Sequence, residues 1–281
     1  MKILKANIPL ALGDLINIKT YLDDVKNQYN QINLTFHRAL LEIGVNTGEP
    51  DWPIKKQKWE KYLFDVGRLF FSEAPYSIDK GQYPFLDTQS LVRRYGLQPK
   101  KPELSNLLCM GYSLNLGEEY IVITTKVREV PRKMFYPLSI SLWKVLNSLS
   151  KKYKIVILGE RKVEMRKEYI QFSDCIFGLY DNIISNIPSD RIIDLTVPSL
   201  GETVSDLTKI QQDALIMKEA KFVITLGNGG NFCMATAVSN MVVGFRADNH
   251  WMADAVFNKE YKNAIVTKHW AYFIQVLERY V

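Results

Sequence analysis

Short apolar runs alternate along the chain with stretches whose apolar residues recur at i, i+3, i+4 and i+7, the marks of strands and amphipathic helices taking turns. The first strand runs from Ile3 to Ile8 and turns through Pro9 and Gly13. A helix follows, with Leu15, Ile18, Tyr21, Leu22 and Val25 at helical spacing, and then a second strand from Ile32 to Phe36. Periodicity lapses between Gly44 and Pro53, where Gly44, Gly48, Pro50 and Pro53 punctuate the chain; helices are predicted beyond it over 54–71 and 88–96. Between Leu97 and Gly117, the residues Pro99, Pro102, Gly111 and Gly117 interrupt any regular pattern, as an interdomain linker would. The alternation then restarts with a strand at Tyr120–Thr125, a helix near 138–150 carrying Leu138, Leu142, Val145, Leu146 and Leu149, and a strand at Lys154–Leu158. Further strands are predicted near Ile192–Leu195 and Phe222–Leu226, the latter after a helix with Leu207, Ile210, Ala214, Leu215 and Met217 on it. Trp270, Phe273, Ile274, Leu277 and Tyr280 keep one apolar face and predict a closing helix.

Strands alternating with helices imply parallel sheets covered on both faces, hence an α/β chain of two Rossmann-like domains with a boundary near residue 117. A length of 281 residues accommodates two such cores, and a composition of 47% hydrophobic and 23% charged residues excludes disorder. The apolar runs fall far short of a membrane span, and the Met1-Lys2-Ile3-Leu4 opening leads straight into folded-looking sequence, so a soluble protein without a cleaved signal is expected. Cys109, Cys175 and Cys233 are odd in number and form no CxxC pair, which argues against a disulfide framework and for a reducing, cytoplasmic setting. The net charge of +6 divides evenly between residues 1–116 and 117–281. Without a basic arm, this is weak support for nucleic acid, which is not expected as a partner, and is equally compatible with anionic small ligands or contact with an anionic membrane surface. His37, His250 and His269 have no ligand spacing to one another, and no metal site is expected.

Open α/β sheets hold ligands beyond the carboxyl ends of their strands, so the loops there carry the candidate chemistry. In the first, Asp14 follows Gly13 where a helix begins; it reads either as a general base or as an acid stabilising the helix end. In the last, Gly227-Asn228-Gly229-Gly230-Asn231 joins an apolar strand to the small-residue helix around Cys233-Met234-Ala235-Thr236-Ala237. That loop either cradles phosphate on the helix N-terminus or makes a tight turn. After the Tyr120 strand, Thr124 and Thr125 offer hydroxyls, while Lys126, Arg128, Arg132 and Lys133 form a basic loop that either holds a diphosphate or is a solvated charge run. Glu160 and Glu164 stand where a carboxylate meets ribose hydroxyls, or else on a charged helix. No GxSxG elbow is present, and Cys233 has no histidine partner evident in the sequence.

Three segments resemble the ADP-heptose:lipopolysaccharide heptosyltransferases, a family of GT-B glycosyltransferases, in the right order from about residue 2 to 245. They are MKILKANIPLALGDLINIKTYL, VITTKVREVPRKMFYPLSISLWKVL and DLTVPSLGETVSDLTKIQQDALIMKEAKFVITLGNGGNFCMATAV. The resemblance implies residues 1–116 as an acceptor domain and 117–265 as a donor domain for a nucleotide-diphosphate sugar. It also implies that residues 266–281 form a closing helix packed back on the first domain. It places Asp14 on the family's catalytic aspartate, Arg132 or Lys133 near its phosphate-binding lysine, and Glu160 or Glu164 near its ribose-binding glutamate. Where that family has Asp-Thr-Gly and then His, this chain has Asn228-Gly229-Gly230 and Cys233. The expected activity is an inverting, metal-independent transfer of a sugar to a glycan, glycolipid or other hydroxyl acceptor. No DxD sequence is present and no cofactor is expected. A sugar-nucleotide epimerase of the same architecture and a non-catalytic nucleotide-sugar-binding protein are the alternatives.

Overall fold

In the first of two main sheets, β1 (Ile3–Pro9) pairs in parallel with β2 (Gln31–His37) from Ile3↔Gln31 to Pro9↔His37, and β2 with β3 (Tyr76–Ile78). The description comes from a computed structural model that covers residues 1–37, 57, 61, 64–109, 116–124, 132–162, 179–199, 207–226, 230–245 and 261–281, with backbone alone at 132–139, 160–162, 179, 197–199 and 207–208. On the far side of β1, Asn7 N–H donates to the Pro84 carbonyl at 2.8 Å and Leu86 N–H to the Asn7 carbonyl at 2.8 Å, so residues 84–86 flank β1. The spatial order is therefore β3, β2, β1, then 84–86. Buried Leu4, Ala6 and Ile8 alternate with exposed or half-buried neighbours, the pattern of a strand covered on one face. Helix α1 (Leu12–Val25) belongs to that covered face.

The second sheet is built otherwise. All five residues of β4 (Tyr120–Thr124) are buried, and so are those of β9 (Val223–Leu226) and β10 (Val242–Phe245), the signature of strands with helices on both sides. With β5 (Lys154–Leu158), β7 (Ile192–Asp194) and β11 (Ala264–Thr267) they form an all-parallel sheet in the order β11-β10-β9-β4-β5-β7. Counted along the chain, this is the doubly wound order 3-2-1-4-5-6, which reverses between β4 and β9. Short strands β6 (Glu160–Lys162) and β8 (Val197–Ser199) pair beyond the ends of β5 and β7.

One face, through Ile121, Ile123, Ile155, Ile157 and Ile224, packs on α4 (Arg132–Leu149), α5 (Leu179–Asn186) and α8 (Trp270–Glu278). The other, through Val122, Val156, Val223 and Val242, packs on α6 (Leu207–Glu219) and α7 (Gly230–Val238). That apolar cluster continues through α7 into α1 and the first sheet, so one core runs between the sheets. Helix α7 is buried at every residue from Phe232 to Val238, and α1 buries eight of its fourteen. Both are enclosed on more than one side.

Three expectations need correction. Helix α4 starts at Arg132, not near 138, so Arg132 and Lys133 lie in its first turn rather than in a loop. Pro137 lies inside this helix and lacks the N–H that would reach the carbonyl four residues back. The irregular stretch after Leu97, which follows α2 (Thr88–Tyr95), is not a bare linker: α3 (Ser105–Leu108) buries Leu108, and Leu104 beside it, in the shared core. Lys100 N–H donates to Tyr21 Oη at 3.1 Å, and Ser105 Oγ to the Ala237 carbonyl at 3.5 Å. The closing helix α8 packs on the second sheet instead of returning to the first. Trp270 and Phe273 meet Phe245, with ring centroids 4.8 and 5.9 Å away, and Trp270 Nε1 donates to Ser141 Oγ on α4 at 2.7 Å. Aromatic surface at Phe245 and Phe222 is thus what its apolar stripe buries.

Candidate functional site

Strand-order reversals open crevices at the carboxyl ends of parallel sheets, and each sheet here has one. In the second it lies between β4, ending at Thr124, and β9, which leads to the start of α7 at Gly230. Thr124 and Thr225 follow the paired Val122 and Val223 on the α7 face, and each is only 1% exposed. In the first sheet β1 lies between β2 and residues 84–86, and its carboxyl end leads into α1. Ala11 is the N-cap of α1 and makes no side-chain cap. Asp14 is therefore the third helical residue and not the cap; it is exposed, in a first turn whose N–H groups favour a carboxylate.

The two crevices meet because α1 and α7 pack side by side. At their first turns, a Cβ placed on Gly230 would sit 3.1 Å from Leu12 Cβ and 3.2 Å from Leu12 Cδ2, a separation that glycine alone accommodates without displacement. One turn further in, Asn17 Nδ2 donates to Cys233 Sγ at 3.6 Å, and also to the Gly13 carbonyl at 2.7 Å. The helix starts bearing Asp14 and Gly230 are thus neighbours, and the first-turn N–H groups of a helix, which have no partner within the helix itself, suit an anion there.

Among the other candidates, Asn231 is half-buried in the first turn of α7, beside Gly230. Arg132 and Lys133 begin the helix that follows β4, and Glu160 is the first residue of β6, opposite Val197, rather than part of a loop or helix. Thr125, Lys126, Arg128, Glu164, Asn228 and Gly229 lie outside the described residues. Cys233, where the resemblance places a His, is 5% exposed and turned toward Asn17. Sequence reasoning missed Leu12 and Asn17. The available signal was an amide between Ile16 and Ile18 in the buried run of an amphipathic helix.

No protein-family model matches the sequence, and no curated protein matches it. In structure, 99% of this chain aligns with 100% of the "E. coli heptosyltransferase WaaC with ADP", at a TM-score of 0.50 and 9% identity. The chain has the heptosyltransferase fold. Two other E. coli structures align with lower scores. The ADP-heptose lps heptosyltransferase II gives 0.48 at 14% identity over 95% of this chain and 90% of that one. The iron-containing dodecameric glycosyltransferase TibC gives 0.47 at 14% identity over 88% of this chain, which spans 58% of TibC's length. In this fold of two parallel α/β sheets, the paired crevices at Asp14 and Gly230 stand at the carboxyl ends of both sheets.

Proposed function

We propose that this chain is a GT-B glycosyltransferase that moves a sugar from a nucleoside-diphosphate sugar to a hydroxyl of a glycan or glycolipid acceptor, with inversion and without a metal ion. The observation that carries the reading is the contact of α1 with α7, which sets a carboxylate beside a helix N-terminus at two adjoining strand reversals. Residues 1–116 then face the acceptor, and residues 117–265 hold the donor.

Asp14 takes the proton from the acceptor hydroxyl as that oxygen bonds to the anomeric carbon. The bond from that carbon to the diphosphate oxygen breaks, and the nucleoside diphosphate leaves with the electron pair. Its growing charge meets Lys126, Arg132, Lys133 and the backbone from Asn228 to Asn231, with Thr124 and Thr125 at the strand end; Glu160 or Glu164 takes the ribose hydroxyls. Fixed cations and N–H dipoles substitute for a metal in this scheme. Because WaaC was solved with ADP, ADP and its sugars are the first donors to try. Fold likeness alone ranks these donors, since one fold hosts many chemistries.

The test is thermal unfolding with EDTA present against ADP, UDP, GDP, ADP-heptose, UDP-glucose and GDP-mannose, followed by nucleoside diphosphate release from any sugar that shifts the midpoint. Asp14→Asn is expected to keep the shift and to slow release by about 10²–10⁴-fold. A panel that leaves the midpoint unchanged, in folded protein, overturns the reading.

A further inference from the structure

We propose that Asn17 is a positioning residue that sets the distance between the Asp14 carboxylate and the N-terminus of α7; this rests on the glycosyltransferase reading of that site. Asn17 occupies an expensive place. It is 4% exposed, in mid-helix, within the run Leu15, Ile16, Ile18, Tyr21 and Leu22 that α1 buries. An asparagine is a weak helix former and a poor core residue, and packing alone would be served better by leucine.

Its amide is spent in two directions. One N–H reinforces the Gly13 carbonyl at 2.7 Å, in the peptide that leads into Asp14, and the other reaches Cys233 Sγ on α7 at 3.6 Å. The same side chain therefore grips the turn that bears the base and the helix that offers its N–H groups to the diphosphate. Above it, Leu12 against Gly230 makes a second contact between the same two turns. Two contacts at successive turns fix spacing and rotation together, where one would leave a pivot. Displacement by an ångström is enough to slow a reaction that depends on the base meeting a hydroxyl poised over the anomeric carbon.

Asn17→Leu tests this, because leucine fills the site without either hydrogen bond. Leucine removes the amide but leaves its partners, Cys233 Sγ among them, short of a hydrogen bond, at a modest cost to folding. The variant is therefore expected to stay folded with a somewhat lower unfolding midpoint and to bind ADP, UDP or GDP as wild type does. With the panel sugar that wild type turns over, its kcat is expected to fall at least tenfold while the donor KM stays within about twofold. In Asp14→Asn the further change Asn17→Leu is expected to cost nothing, since there is no base left to position. Amide exchange at Gly13 to Leu15 is expected to quicken in the leucine variant.

An unchanged kcat in a folded Asn17→Leu protein overturns the inference and leaves the parent reading standing. So does a loss that multiplies fully with that of Asp14→Asn. If wild type turns over no sugar of the panel, the parent reading falls, and this inference with it. Should Asn17→Leu fail to fold, Asn17→Ser and Cys233→Ala carry the same comparison, each expected to lower kcat without raising the donor KM more than twofold.

Discussion

At the scale of single residues, the close approach of Leu12 to Gly230 is readily disturbed. Leu12 Cβ is fixed by its helix and cannot rotate away from a side chain at residue 230, whereas Cδ2 can. Gly230→Val is therefore expected to destabilise the protein by about 2 kcal/mol. Leu12→Ala in the same chain is expected to return part of that loss in urea denaturation, the reverse of what two independent cavity or crowding mutations would do. The charged surface of α1 yields a pH-dependent case. Asp23 accepts hydrogen bonds from Lys19 Nζ at 2.8 Å and Tyr76 Oη at 2.7 Å, with Lys26 3.4 Å away. Burial raises its pKa, but these partners outweigh burial and hold it below the ordinary carboxylate range, while Tyr76 is pushed upward by burial and by Asp23 itself. A carboxyl with a lowered native pKa adds stability above its unfolded pKa and loses it as pH falls through the native one. Asp23→Asn is expected to cost about 1 kcal/mol at pH 7. The gap to wild type should close in acid, below the ordinary carboxylate range, when both are titrated with urea. Neither Gly230 nor Asn17 could be assigned its partner from the sequence, because contacts more than two hundred positions apart leave no local pattern.

At the scale of elements, strands and helices could be read wherever a period was present. Ile3–Pro9 alternates and the helix now known to span Leu207–Glu219 carries helical spacing, while Lys154–Leu158 is read from a short apolar run. The strands Val242–Phe245 and Ala264–Thr267, of four residues each, are not predicted; each is short and follows or precedes sequence without a clear period. Periodicity places the start of α4 near 138, whereas the helix begins at Arg132 and has Pro137 inside it. The destination of α8 was equally hidden: its stripe announced a buried face without saying against what. Phe273 is fully buried there, so Phe273→Ala is expected to cost about 3–5 kcal/mol. The accompanying change should be in the fluorescence of Trp270, whose ring centroid lies 5.1 Å from that of Phe273.

For the whole molecule, the main consequence is cooperativity. One apolar cluster includes Leu4 and Leu34 from the first sheet, Leu15 and Ile16 from α1, Phe232 and Met234 from α7, and Val122 and Val223 from the second sheet. Nothing separates these groups but packed side chains, so equilibrium unfolding in urea is expected as one transition, with coincident midpoints by far-ultraviolet circular dichroism and tryptophan fluorescence. Two resolved transitions would mean that α1 and α7 part before either sheet melts. Among the described residues no helix is long and apolar enough to cross a membrane. The same continuity bears on how such a chain can change over evolutionary time. Where two lobes touch lightly, one can be exchanged for a relative's and a new specificity assembled by recombination. Here α1 and α7 are two halves of one fitting, keyed by Leu12 to Gly230 and by Asn17 to Cys233. A chimaera must inherit both halves from one parent or have them re-matched, which makes diversification loop by loop the easier route.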